Sequence, residues 1–250
     1  MTTVIADAKA VTALAKSRKL SLTVDHMMTE SSFNRKAHEL LQAGTLGHVN
    51  DCCFHMEFSY GADPAEAATW RCAKPEELGG PIGDVASHCF YMAEFLFGSK
   101  IVALAAVYYP KLMSIVAEDG AYIKFKMANG LTGSVKVGFN EPRGGLAGTL
   151  TNLGYEIYGD TAVMRGFGTM FQLSGYPDEP IAIRLELDNG KTTEAVSVAG
   201  VVNIYQQVMI KHAESVITGH HLTGDDAVHN LELIAAAHRS AKNQGRMETV

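Results

Sequence analysis

Asp84 and His88 are the two residues whose types and spacing most directly suggest chemistry. They sit in GGPIGDVASHCFYMAEFLFG, Gly79 to Gly98. If a helix starts at Asp84, the two side chains fall one turn apart on the same face. Opposite them Val85, Cys89, Met92 and Leu96 form an apolar stripe. A carboxylate beside an imidazole favours the imidazolium and fixes the ring, which suits a general acid/base. The same residues also read as an Asp N-cap followed by a surface His. Just upstream, Trp70 and Arg71 could stack on and hydrogen-bond a sugar-like molecule, or pack as helix-end residues. His26 and Glu30 follow a strand-like run, Leu20 to Asp25, at the end where α/β ligands bind; as plain residues they form a polar loop.

These residues need elements to position them. A first helix is expected from about Ala6 to Lys19, with Val11, Leu14 and Ala15 as its apolar stripe, and a second from Phe33 to Ala43. His48 to Tyr60 reads as a long strand. From Ile101 to about Val198 the chain is strand-rich, with Asn129-Gly130 and Asn189-Gly190 as type I′ hairpin signals. Ile123, Phe125 and Met127 alternate with Tyr122, Lys124 and Lys126. Such alternation predicts an antiparallel sheet with one face on a helical layer. Asn203 to Thr218 is helical, and a last helix starts at Thr223, spaced from Asp226 as in a capping box. The fold class is α+β: a large, open, mostly antiparallel sheet backed by helices, preceded by a helix-strand-helix of α/β type.

Composition sets outer limits. With 250 residues, 47% hydrophobic and 19% charged, the chain is long and apolar enough for a substantial core. A net charge of -6 with no run of Lys or Arg argues against nucleic acid as partner. Apolar runs such as Ile101 to Tyr109 fall short of the ~20 residues that span a bilayer. The N-terminus lacks a signal-peptide pattern, and four cysteines form no disulfide framework, which fits the cytoplasm. No C-x-x-C or H-x-x-x-H spacing suggests a metal, and neighbouring Cys52 and Cys53 point to opposite faces of a strand. The Gly-rich loop Pro142 to Thr149 lacks the pattern of a phosphate cradle and reads as a flexible connection.

The Asp84–His88 segment resembles the GG-(G/A)-x-x-D-x-x-x-H helix of the Gfo/Idh/MocA oxidoreductases, the glucose–fructose oxidoreductase and inositol dehydrogenase-like enzymes. Ala43 to Gly61, Trp70-Arg71 and Gly224 to Arg246 agree with it, so the resemblance covers nearly the whole chain. It implies hydride transfer between NAD or NADP and a secondary alcohol of a sugar, cyclitol or related polyol. By resemblance His88 carries the hydroxyl proton, while Asp84 supports it and contacts the substrate. Residues 1–31 then correspond to the end of a dinucleotide-binding domain and 32–250 to the substrate and oligomerisation domain.

Two family features are missing: G-x-G-x-x-G and Glu-Lys-Pro; Lys74-Pro75 sits in the wrong place, and Thr29-Glu30 replaces a basic-aromatic pair. About a hundred residues, a small domain's worth, are expected to be absent, so these 250 residues should bind nicotinamide cofactor weakly or not at all. An alternative is a short form that binds a carbohydrate-like ligand, or pairs with a full-length relative, without redox chemistry. The resemblance and the strand Ile101 to Tyr109, apolar on both faces, further imply a homodimer or higher even-numbered assembly through the open sheet face. The other possibility is a monomer whose solvated face carries a few apolar residues.

Overall fold

The structure, a computed structural model, describes residues 2–140 and 152–250. The loop Pro142 to Thr149 lies outside the described residues. Two helices open the chain, α1 (Ile5–Ser17) and α2 (Ser32–Gln42). Strand β1 (Val49–Glu57) follows, then the one-turn helices α3 (Pro64–Ala67) and α4 (Trp70–Ala73), and helix α5 (Ser87–Phe97). Next come β2 (Ile101–Tyr108), β3 (Gly120–Met127) and β4 (Thr132–Gly138). After them run β5 (Leu153–Gly159), β6 (Val163–Phe167), β7 (Arg184–Asp188) and β8 (Thr193–Ala195). Helices α6 (Ile204–Thr218) and α7 (Asp225–Lys242) and the short β9 (Glu248–Thr249) close the described chain.

The strands form one sheet in the order β8-β7-β6-β5-β1-β4-β3-β2-β9. All pairs are antiparallel except β1 with β4, where Phe54 lies beside Val135 and His55 beside Lys136. The expected α+β class, open sheet and helical backing are therefore present. Alternation places Phe54, Phe125, Val135 and Tyr155 on the covered face, all buried, with Phe54 packed against Tyr155 at 5.8 Å between ring centres. Helix α5 contributes Cys89, Met92 and Leu96, and the π turn ahead of it Val85, so the expected buried stripe is observed. Helix α7 lies on β2, where the Ser240 hydroxyl accepts the Ala106 N–H at 2.8 Å. The opposite sheet face is open; on it Val107 is 54% exposed and its cross-strand neighbour Tyr122 55%.

Local expectations needed correction. Leu20 to Asp25 is not a strand: its alternating pattern finds no ladder, and Leu22 N–H bonds to Leu222 C=O alone at 2.8 Å. In α1 the residues turned inward are Ala8, Thr12 and Ala15, while Val11 and Leu14 are exposed. The Asn-Gly pairs do not make type I′ turns, because of each pair only the glycine has positive φ. Gly130, at φ +92°, closes a type I turn with a bulge: its N–H bonds to Met127 C=O at 3.0 Å, and Met127 N–H to Leu131 C=O at 2.8 Å. Finally, α7 starts after Gly224 with no capping side chain; the Thr223 hydroxyl donates to the Asp225 carboxylate instead.

Candidate active site

The site grows from the turn that precedes α5. Here the chain does not enter an α-helix at Asp84 as expected. Residues Ile82–Ala86 form a π-helical turn, and α5 begins only at Ser87. Two glycines permit the close approach of backbones here. A Cβ on Gly83 would lie 2.2 Å from Leu78 O, and one on Gly79 2.5 Å from Trp70 O. The half-buried Glu118 holds the turn, its carboxylate accepting the Ile82 N–H at 2.8 Å. Such single π turns often mark functional positions in helices.

The wider π turn changes which groups meet. Asp84 does not pair with His88: its Oδ2 accepts from Arg71 Nε at 3.0 Å. Burial pushes the Asp84 carboxyl up and the Arg71 guanidinium opposes that push. Arg71 in turn lies over the Trp70 ring, 4.7 Å from its centre. His88 instead shares a hydrogen bond with Tyr91, Nδ1 to hydroxyl, at 2.9 Å. The far face of Tyr91 stacks on His26 with centroids 4.2 Å apart. Burial pushes His88 down to about 4, helped by the charges of His26 and Arg71. His26 is also pushed down to about 4, by burial, against the pull of Asp226. Both imidazoles are therefore neutral at pH 7.

Tyr91 orients His88. The Tyr91 hydroxyl also lies 3.8 Å from Met27 Sδ. With Nδ1 facing the hydroxyl, Nε2 is the ring nitrogen left for a ligand; if Tyr91 gives its proton to Met27 Sδ, Nδ1 donates and Nε2 is an acceptor. His88 lines a cavity of about 210 Å³ together with Thr2, Asp25, His26, Ser87 and Asn230. That set is apolar in part and rich in groups that bind hydroxyls. A neighbouring cleft of about 440 Å³ shares His26 and Tyr91 as its wall and adds Thr29, Glu30, Lys100 and Lys211.

The sequence-derived site residues thus separate into groups. His26 and His88 meet across Tyr91. Asp84, Arg71 and Trp70 form a second group, and Trp70 and Arg71 line neither cavity. Glu30 borders the larger cleft, but its carboxylate is held by Arg35 and Lys211. Burial alone would raise its carboxyl; those two cations hold it below the usual range. Tyr91, Asp25, Ser87 and Asn230 escaped the sequence reading. For Tyr91 a signal existed, since three residues after His88 is the same helix face.

A dinucleotide does not fit the described residues. The glycine-led helix start beside the larger cleft, Gly224 at α7, carries Asp225 and Asp226 in its first turn. Two negative charges oppose a pyrophosphate there. Lys100 and Lys211 are already bound to carboxylates, Lys100 to Glu94 and Asp226 at 2.7 Å each, Lys211 to Glu30. Among the described residues no group of three or more His, Cys, Asp and Glu could hold a metal ion, and no helix is long and apolar enough to cross a membrane.

Fold and site together define an α+β domain: an open sheet whose helical side carries a polar pocket at the start of a helix. Residues 34–165 match the family model for the GFO/IDH/MocA C-terminal domain. The chain belongs to the Gfo/Idh/MocA family. No curated protein matches it. Among solved structures, it is similar to the aldose-aldose oxidoreductase of Caulobacter crescentus complexed with glycerol, with TM-score 0.83 and 19% identity, covering 99% of this chain and 69% of that one. An inositol dehydrogenase homolog of Azotobacter vinelandii, complexed with NADH and myo-inositol, gives TM-score 0.74 and 15% identity, with coverage of 99% and 69%. A levoglucosan dehydrogenase complexed with NADH and levoglucosan gives 0.78 and 17%, with 99% and 71%.

Proposed function

We propose that this chain provides the substrate pocket and the proton-transfer group of an oxidoreductase acting on a secondary alcohol of a sugar, cyclitol or related polyol. The observation that carries this reading is His88, engaged through Nδ1 by the Tyr91 hydroxyl, in a cavity of about 210 Å³ lined by groups that bind hydroxyls. The named ligands of the similar structures, glycerol, myo-inositol and levoglucosan, support the substrate class. The substrate hydroxyl gives its proton to His88 Nε2 as its carbon is oxidised. Tyr91 keeps the ring oriented throughout, because its oxygen accepts from Nδ1–H in both the neutral and the charged imidazole. Arg71 works in the same direction as burial, since its charge disfavours the imidazolium and speeds return of the proton to solvent. Asp84 acts by holding Arg71.

The nicotinamide nucleotides named with several similar structures support NAD or NADP as hydride partner. The carboxylates of Asp225 and Asp226 at the start of α7 oppose its pyrophosphate there. The acidic start of α7 favours a second reading, a polyol-binding partner without redox chemistry. Val107 and Tyr122, side by side and exposed, support pairing of two copies through the open sheet face.

Titration with myo-inositol, levoglucosan or glycerol, followed through the His88 imidazole resonances, tests the pocket. Saturable shifts are expected; no response to any polyol refutes the reading. Joined to the dinucleotide-binding domain of a relative, the chain should oxidise a polyol, and His88→Ala should lower turnover by about 10²–10⁴-fold. Binding without turnover in that fusion selects the second reading.

A further inference from the structure

The His88 cavity carries a negative charge that no cation of the described residues balances. Asp25 lines it and is exposed, so a ligand can reach the carboxylate. Among the described residues Asp25 has no side-chain hydrogen bond and no ion pair. Partial burial pushes its carboxyl up, and no cation opposes that push. The other carboxylates around the two cavities are matched. Glu30 is held by Arg35 and Lys211, Glu94 and Asp226 share Lys100, and Asp84 has Arg71. Among the described residues no Lys or Arg lines the His88 cavity.

The uncharged side chains there have spent their protons. Asn230 is only 6% exposed; its Nδ2 donates to Ser87 C=O at 2.9 Å, which fixes the amide and leaves Oδ1 without a partner. The Ser87 hydroxyl donates to Asp84 C=O at 2.9 Å and the Thr2 hydroxyl to Val4 C=O at 2.8 Å, so each presents lone pairs only. The neutral imidazoles of His26 and His88 add one N–H each at most. Asp25 also belongs to the same surroundings as His88. Its charge, along with burial, pushes up the hydroxyl of Tyr91, the group that orients the His88 ring.

A cavity so rich in acceptors selects a ligand that brings donors. A hydroxyl brings one proton; an alkylammonium brings three, carries a positive charge and accepts nothing. A phosphate or carboxylate would meet Asp25 with the same sign of charge and find no cation in the lining. We propose that the cavity takes an amino polyol, its ammonium on the Asp25 carboxylate and Asn230 Oδ1, with a hydroxyl of the same molecule at His88. This rests on the polyol reading above and narrows it to substrates bearing an amine and no acidic group. The amine binds and orients; it stays on its own carbon and takes no part in the oxidation.

The test titrates the native chain at pH 7 with two matched pairs, serinol against glycerol and glucosamine against glucose, followed through the His88 imidazole resonances. Each amine should bind about 3–30-fold more tightly than its neutral counterpart, between the worth of an exposed ion pair and that of a charged hydrogen bond. Salt at about 0.5 M should move that ratio toward one. Asp25→Asn should bring it to about one at low salt. The wild-type ratio decides by itself if that variant does not fold. Equal affinities within both pairs overturn the proposal and leave the polyol reading standing. So does a preference that survives in Asp25→Asn, or glycerol 3-phosphate binding more tightly than glycerol. A response to the amines alone supports the proposal. No response to any of these compounds refutes the polyol reading and the proposal with it.

Discussion

Tyr91→Phe deletes the hydroxyl that faces His88 Nδ1 at 2.9 Å and keeps the ring that stacks on His26 at 4.2 Å. The variant therefore isolates one oxygen. Without it the His88 Nδ1–H has no partner in a buried setting, since the Asp84 carboxylate is committed to Arg71. Leaving such a donor unpaired costs about 1–3 kcal/mol. In a chain of this length each kcal/mol moves the thermal midpoint by about 2–4 °C. Urea unfolding should show a lower midpoint with an unchanged slope, because no additional surface is exposed. Imidazole ¹⁵N spectra supply the second readout. In the wild type Nδ1 carries the proton; in Tyr91→Phe the neutral ring shifts toward the Nε2–H tautomer, where solvent in the cavity can take the bond. A variant within about 0.5 kcal/mol of wild type, the scatter of surface substitutions, and with the same tautomer refutes the orientation of His88.

Acid should destabilise the fold through its buried histidines. His26, His88 and His238 are each pushed down to about 4, chiefly by burial, so the unfolded chain binds protons below pH 6.5 that the folded chain refuses. Each adds a slope of up to about 1.4 kcal/mol per pH unit between those values, and stability falls as pH drops. Urea midpoints that stay flat from pH 6.5 to 5 contradict this. Titration with NADH or NADPH should give no saturable signal in the micromolar range; clear micromolar affinity means that a pyrophosphate site exists. Sedimentation at micromolar concentration should show a dimer or higher even-numbered species, weakened by Lys124→Glu, and a single monomeric species rejects pairing through the open face. Lys136 is a poor probe there, because its ammonium holds the buried Glu57.

The sheet was legible because alternation at Ile123, Phe125 and Met127 reports a property of each strand, namely which side is covered. What failed depended on partners or on backbone geometry that side-chain type does not encode. Leu20 to Asp25 has the composition of a strand, yet a strand exists only where another pairs with it. The Asp84–His88 pairing assumed 3.6 residues per turn. The π turn at Ile82–Ala86 breaks that count, and Gly79 and Gly83 permit it, because a Cβ on either would meet the carbonyl of Trp70 or Leu78. Glu30 was read at the ligand-binding end of a strand-like run; in the structure Arg35, five residues on, and Lys211, from α6, hold its carboxylate. His26 lines both cavities, and its stacking partner Tyr91 was not singled out in the sequence.

The single parallel pairing in the sheet has a consequence for how the chain is made. Strands β2 to β4 and β5 to β8 are each joined by antiparallel neighbours close in sequence, so both halves can form locally. Strand β1, the earliest of all, is the seam between them, and its two partners end at Gly138 and Gly159. During synthesis at about 5–20 residues per second it therefore waits roughly 5–20 s for its last neighbour. Until helix α5 packs on them, Cys52, Phe54 and Met56 are uncovered on one side. Asp51, Cys53, His55 and Glu57 on the other keep the strand from being apolar on both, which discourages premature pairing between nascent chains.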